Sequence, residues 1–143
     1  MGVVIPFVSN LIGVTIPASS TERFEFFLGE PLLFTAYLIV VIWIGAALGE
    51  ELLMRGFLLN SLIDVFGDKQ KGVLAAVALH SVIFGMLHIS QGIPGIIGTG
   101  LVAVVFASIY LFSGRKLFSI IMAHGIFNSI GLFGYYFSGG NVT

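Results

Sequence analysis

The sequence predicts an all-α fold: a polytopic transmembrane helical bundle with four core helices and a short N-terminal apolar segment ahead of them. Three observations predict it. Of 143 residues, 57% are hydrophobic and only 9% charged, whereas a soluble domain carries roughly 25% charged residues. Mean hydropathy is +1.09, and the 14 Phe and 19 Gly suit closely packed membrane helices. Most polar residues gather in short clusters, leaving apolar segments near the roughly 20 residues that a bilayer crossing needs.

The first apolar segment, residues 3–18, is interrupted by Pro6, Asn10 and Pro17. It is a short span, a re-entrant piece or the remnant of a longer N-terminus. No Lys or Arg precedes it, which argues against a signal peptide. Residues 19–30 read as a surface connection with Phe24, Phe26 and Phe27 at the membrane interface. The second segment, residues 31–66, exceeds one straight span and is expected to tilt, or to break near Gly45 or Gly49. The third runs from Gly72 to about Ser90. A turn at Gly92-Ile93-Pro94-Gly95 leads into the fourth, which ends at Ser113-Gly114. The fifth runs from Leu117 to Phe137, before a Gly139-Gly140 tail. The organisation is therefore 1–30 for the N-terminal segment and its connection, 31–138 for the membrane core and 139–143 for the tail.

A net charge of −1 leaves no basic surface for nucleic acid. Zero Cys excludes a disulfide scaffold, a Cys-ligated metal and a cysteine nucleophile. The loops at residues 69–71 and 115–116 fall on one side and hold four of the six Lys and Arg residues. The positive-inside rule places that side in the cytoplasm. The C-terminus then faces outward, where Asn141-Val142-Thr143 has the form of a glycosylation sequon.

Glu50, Glu51 and Arg55 stand inside the long second segment, where each charge costs about 2.5–3.5 kcal/mol to insert. Glu51 and Arg55 are four apart on one helix face, so pairing limits that cost. Glu50 lies about 100° round the helix from Glu51 and has no cation at i+3 or i+4. The hairpin loop between segments two and three is centred on Lys69, with Glu50 and His88 each 19 residues from it. Antiparallel helices therefore bring this carboxylate and imidazole to a similar depth. His124 and Asn128, at i and i+4, project from one face of the fifth segment; alone, they suit an interhelical hydrogen bond. His80 reads as a satisfied core or interhelical histidine, and Trp43 as packing or lipid contact. Gly95, Gly98 and Gly100 permit close helix approach, since no phosphate-binding loop is present.

A Glu, two His and an Asn on three membrane helices suit amide hydrolysis. Glu50 takes a proton from water, with His88 positioning or activating it, while His124 and Asn128 donate to the developing oxyanion. No Gly-x-Ser-x-Gly elbow or His-Glu-x-x-His signature is present. The expected site therefore needs no cofactor. The alternative is zinc held by Glu50, His88 and His124 with a fourth position open, although Asn128 then needs another task. Two non-hydrolytic classes compete: an immunity or partner-binding membrane protein that uses the polar cluster to lock helices, and a small proton-coupled carrier. The carrier lacks the repeated half such proteins show.

These residues carry a resemblance. Glu50-Glu51-Leu-Leu-Met-Arg55 is similar to the Glu-Glu-x-x-x-Arg motif of the CPBP (CAAX protease and bacteriocin-processing, Abi) intramembrane proteases, the family of type II CAAX prenyl endopeptidases. Phe84-Gly-Met-Leu-His88 resembles its Phe-x-x-x-His motif, and His124-Gly-Ile-Phe-Asn128 its His-x-x-x-Asn motif. Order and spacing agree over residues 35–137. The resemblance implies a glutamate-dependent endopeptidase with Glu50 and His88 on the water and His124 and Asn128 on the oxyanion. Glu51, Arg55 and Phe84 support them. Descriptions of the family as metalloproteases imply the zinc alternative. The implied partners are the bilayer and a peptide or membrane-protein substrate, lipidated in the eukaryotic members that trim prenylated CAAX proteins. Bacterial members are linked to bacteriocin immunity, and a multi-pass location in a prokaryotic plasma membrane is implied here. Family members often have about eight spans, so this chain is a minimal member or a fragment.

Overall fold

The computed structural model describes residues 4–18 and 22–141, all helix, turn or loop, with no strand among them. Five helices follow in order. They are α1 (Val4–Ile12), α2 (Pro31–Phe66), α3 (Gln70–Met86), α4 (Gly92–Phe112) and α5 (Leu117–Phe137). Short 3₁₀ turns at Glu25–Phe27 and Ile89–Gln91 lead into α2 and α4. Helices α2, α5 and α4 with its preceding turn are long and apolar enough to cross a membrane, and α3 is a shorter apolar helix of 17 residues. Large apolar side chains cover the outer faces, among them Phe57, Leu74, Val82 and Phe118. That distribution suits lipid contact. Val142 and Thr143, and with them the sequon, lie outside the described residues.

Pro31 opens α2 because the first helical turn needs no N–H there. Gly67, at φ 92°, ends it by a bond from its N–H to the Ile63 carbonyl. The expected break at Gly45 or Gly49 does not occur. The helix instead runs on continuously, with a π-helical winding over Leu38–Glu50 and Leu52–Leu59. Asn60 closes this stretch. Its Nδ2 donates to the carbonyls of Arg55 and Gly56 and to the Tyr110 hydroxyl of α4.

Glycine sets the closest helix contacts, as the spacing suggests. A Cβ on Gly85 would stand 2.6 Å from the Ile96 carbonyl oxygen and 3.4 Å from Gly100 Cα, so α3 and α4 meet nearly backbone to backbone. A Cβ on Gly125 would stand 2.6 Å from the Trp43 ring, which fixes the height of α5 against α2. Gly98 receives Val4 and Ile5 of α1.

Three sequence expectations change. At nine residues, α1 extends about 14 Å, less than half of a bilayer core of about 30 Å, and packs on α4 without spanning. Phe27 is fully buried rather than interfacial. It packs with Phe34 and Leu132, beside Tyr37, Tyr135 and Tyr136, so aromatic contact between α2 and α5 draws the connection inward. The turn expected at residues 92–95 lies earlier, at residues 87–91; Ile93, Pro94 and Gly95 already belong to the first turn of α4, where Pro loses no hydrogen bond. The two basic loops do meet, through an ion pair of 2.6 Å between Arg115 and Asp68.

Candidate active site

Glu51 and Arg55 are both fully buried. Arg55 Nη1 donates to Glu51 Oε1 at 2.8 Å, and its Nη2 donates to the Ala103 carbonyl at 3.4 Å. The guanidinium carbon lies 5.0 Å from the Phe84 ring centroid and 5.5 Å from that of Phe106. Two aromatic faces and a carboxylate therefore replace the water that the charge gave up. The same Oε1 pairs with His124 Nδ1 at 2.6 Å. Because Glu51 already serves Arg55 as a carboxylate, His124 is the donor and its proton sits on Nδ1. A neutral ring then presents only a lone pair at Nε2; the imidazolium presents an Nε2–H.

His88 lies just beyond the end of α3, at φ −101° and ψ 22°. The last carbonyls of a helix lack intrahelical partners, and His88 Nδ1 satisfies one, that of Phe84, at 2.9 Å. A carbonyl only accepts, so this bond places a proton on Nδ1 and leaves Nε2 of the neutral ring free to accept. The Phe84 ring, 4.8 Å away centroid to centroid, packs against the imidazole. One phenyl ring thus supports both Arg55 and His88.

Glu50 turns away from this buried network. It lines a cavity of about 710 Å³ with His88 and Asn128, a volume typical of small-ligand sites at about 300–1,000 Å³. The spacing argument for Glu50 and His88 therefore ends in one cavity. The Glu50 Oε2 and Asn128 Oδ1 atoms are buried and find no hydrogen-bond partner among the described residues. Apolar side chains such as Val41, Ile42, Leu87 and Leu132 form much of the remaining wall. His124 is not part of the lining. It stands behind the wall, 2% exposed, within electrostatic reach of Glu50.

A family profile described as type II CAAX prenyl endopeptidase Rce1-like matches residues 32–130. The chain belongs to this family. No curated protein and no solved structure matches it. As an Rce1-like protein it is a membrane protein of the CAAX-type intramembrane protease class, whose substrates are peptides or prenylated proteins. The Rce1-like match includes Glu50, Glu51, Arg55, Phe84, His88, His124 and Asn128, and stops short of α1.

The residues of the zinc alternative, Glu50, His88 and His124, are placed differently: Glu50 and His88 line the cavity and His124 stands behind it. Among the described residues no three His, Asp or Glu side chains converge as metal ligands; His124 bonds Glu51 through Nδ1 and keeps Nε2 open. His80 is buried as expected, but neither ring nitrogen has a hydrogen-bond partner among the described residues; its ring stacks near Phe84 at 6.5 Å. Sequence reasoning missed Phe106, which touches both Arg55 and His124 across helices. It also missed Gln91, a buried amide lining the cavity. A polar side chain three residues after His88, within an apolar stretch, was the signal for Gln91; Phe106 carried none.

Proposed function

We propose that this Rce1-like chain hydrolyses a peptide bond within or beside the membrane by direct attack of water, with Glu50 as general base. The observation that carries the reading is the shared cavity, where Glu50, His88 and Asn128 from three parts of the bundle face one space. A water between Glu50 and Nε2 of His88 gives up a proton to Glu50 as its oxygen bonds to the substrate carbonyl carbon. The carbonyl π pair moves onto oxygen, and the Asn128 side-chain amide donates to that oxyanion. The tetrahedral intermediate then expels the amine, which receives the proton held by Glu50. His124 supports the oxyanion side of the site from behind the wall. Glu51 anchors that ring, and Arg55 anchors Glu51.

This reading needs no metal: the water is activated by a carboxylate and an imidazole. The substrate is a peptide or membrane-protein segment, with or without a lipid, because the apolar walls accept both.

The test is incubation of the purified protein in detergent with a peptide library in ¹⁸O water. One labelled oxygen in each new C-terminal carboxylate is expected. Binding of peptides with no cleavage supports instead the alternative of a non-catalytic immunity or partner-binding protein.

A further inference from the structure

Gln91 is a buried amide without a partner for its oxygen. The residue is 7% exposed, and Oε1 accepts no hydrogen bond from the described residues. Buried polar side chains are nearly always paired, and leaving one unpaired costs stability. The retained cost points to a donor that arrives from outside, and Gln91 lines the same cavity as Glu50, His88 and Asn128.

The backbone is arranged to hold this side chain. The Gln91 N–H bonds to the His88 carbonyl at 2.9 Å, which ties its position to that of the imidazole. Gly92, at φ 72°, then turns the chain into α4. Gly95 leaves the room: a Cβ there would stand 2.2 Å from Gln91 Cβ and 3.3 Å from its Oε1.

We propose that Gln91 is a substrate-positioning residue whose Oε1 accepts a hydrogen bond from a backbone N–H of the bound peptide beside the scissile bond. The inference rests on the hydrolytic reading above. An amide oxygen only accepts, and the other unpaired atoms on residues lining this cavity, Glu50 Oε2 and Asn128 Oδ1, are acceptors too. Three unpaired acceptor atoms call for donors, and a peptide main chain supplies one per residue. The lytic water already has two stronger bases in Glu50 and His88. A contact to the main chain reads position without reading side chains, so it sets the peptide register over the catalytic groups.

The test pairs Gln91→Met, similar in shape but without the acceptor, with a depsipeptide series in which one backbone N–H at a time is replaced by an ester oxygen. Binding is measured with fluorescent peptides on the Glu50→Gln protein, and turnover on the Glu50 protein. Gln91→Met is expected to raise KM and Kd about three- to tenfold, with kcat within about twofold and melting unchanged. One depsipeptide, flanking the scissile bond, loses the same factor and loses nothing further on Gln91→Met. A lowered kcat with unchanged KM on every substrate would place Gln91 on the water and overturn the proposal. So would equal losses on all analogues. Should Gln91→Met fail to fold, the series on unsubstituted Gln91 decides: the absence of any sensitive N–H overturns the proposal. Gln91-dependent binding of an uncleaved peptide would uphold it while removing the hydrolytic reading; cleavage indifferent to Gln91 would do the reverse.

Discussion

Two adjacent glutamates are expected to fail in opposite ways. Glu51→Ala removes the acceptor for both Arg55 Nη1 and His124 Nδ1. It leaves a fully buried guanidinium with the Ala103 carbonyl at 3.4 Å and two aromatic rings as its remaining company. Breaking a buried ion pair from one side costs about 3–5 kcal/mol, a large share of a total stability of about 5–15 kcal/mol. For a chain of this length the loss lowers the melting temperature by on the order of 10 °C. Glu50→Gln removes no bond that holds the fold, since Oε2 has no partner among the described residues, and stability stays within about 0.5 kcal/mol. The assay is thermal melting of the two variants in one detergent. The double variant Glu51→Leu with Arg55→Met adds a check, because removing both partners costs less than removing one. Equal melting temperatures for Glu51→Ala and the unsubstituted protein would refute the buried network as the structural anchor.

Other outcomes follow from the same geometry. Asn128→Ala lowers kcat by about 100- to 1,000-fold, equivalent to about 2.7–4 kcal/mol of lost oxyanion stabilisation, with little change in KM; steady-state kinetics beside a melting curve checks it. His80→Leu removes two unpaired buried nitrogens and leaves activity intact, with melting unchanged or raised. Activity survives exhaustive chelation, and elemental analysis of the active protein finds no stoichiometric metal; loss restored by added zinc would contradict this.

The sequence reading succeeded where periodicity and spacing alone decide. Helix count, the i,i+4 pair of Glu51 and Arg55, and the placing of Glu50 and His88 on one cavity all follow from polar residues placed in apolar helices. It failed where a neighbouring helix decides. Nothing in α2 says that Glu51 also binds His124, since that contact spans 73 positions of chain. Phe106 is one of many aromatic residues until α4 is packed against Arg55. Phe27 resembles an interfacial aromatic until its tyrosine neighbours enclose it. Helix ends were the other source of error. His88 was placed inside α3, yet it caps the helix from outside, and that position explains why its Nδ1 is occupied and its Nε2 free.

The central claim is that the Glu50 carboxylate removes the proton from water. Peptide turnover by purified Glu50→Gln, compared with unsubstituted protein of equal melting temperature, tests it most directly. Glutamine keeps the shape but is no base at neutral pH, so cleavage falls to the uncatalysed background while peptide binding persists. Turnover retained within tenfold would contradict the claim and move the base elsewhere in the cavity.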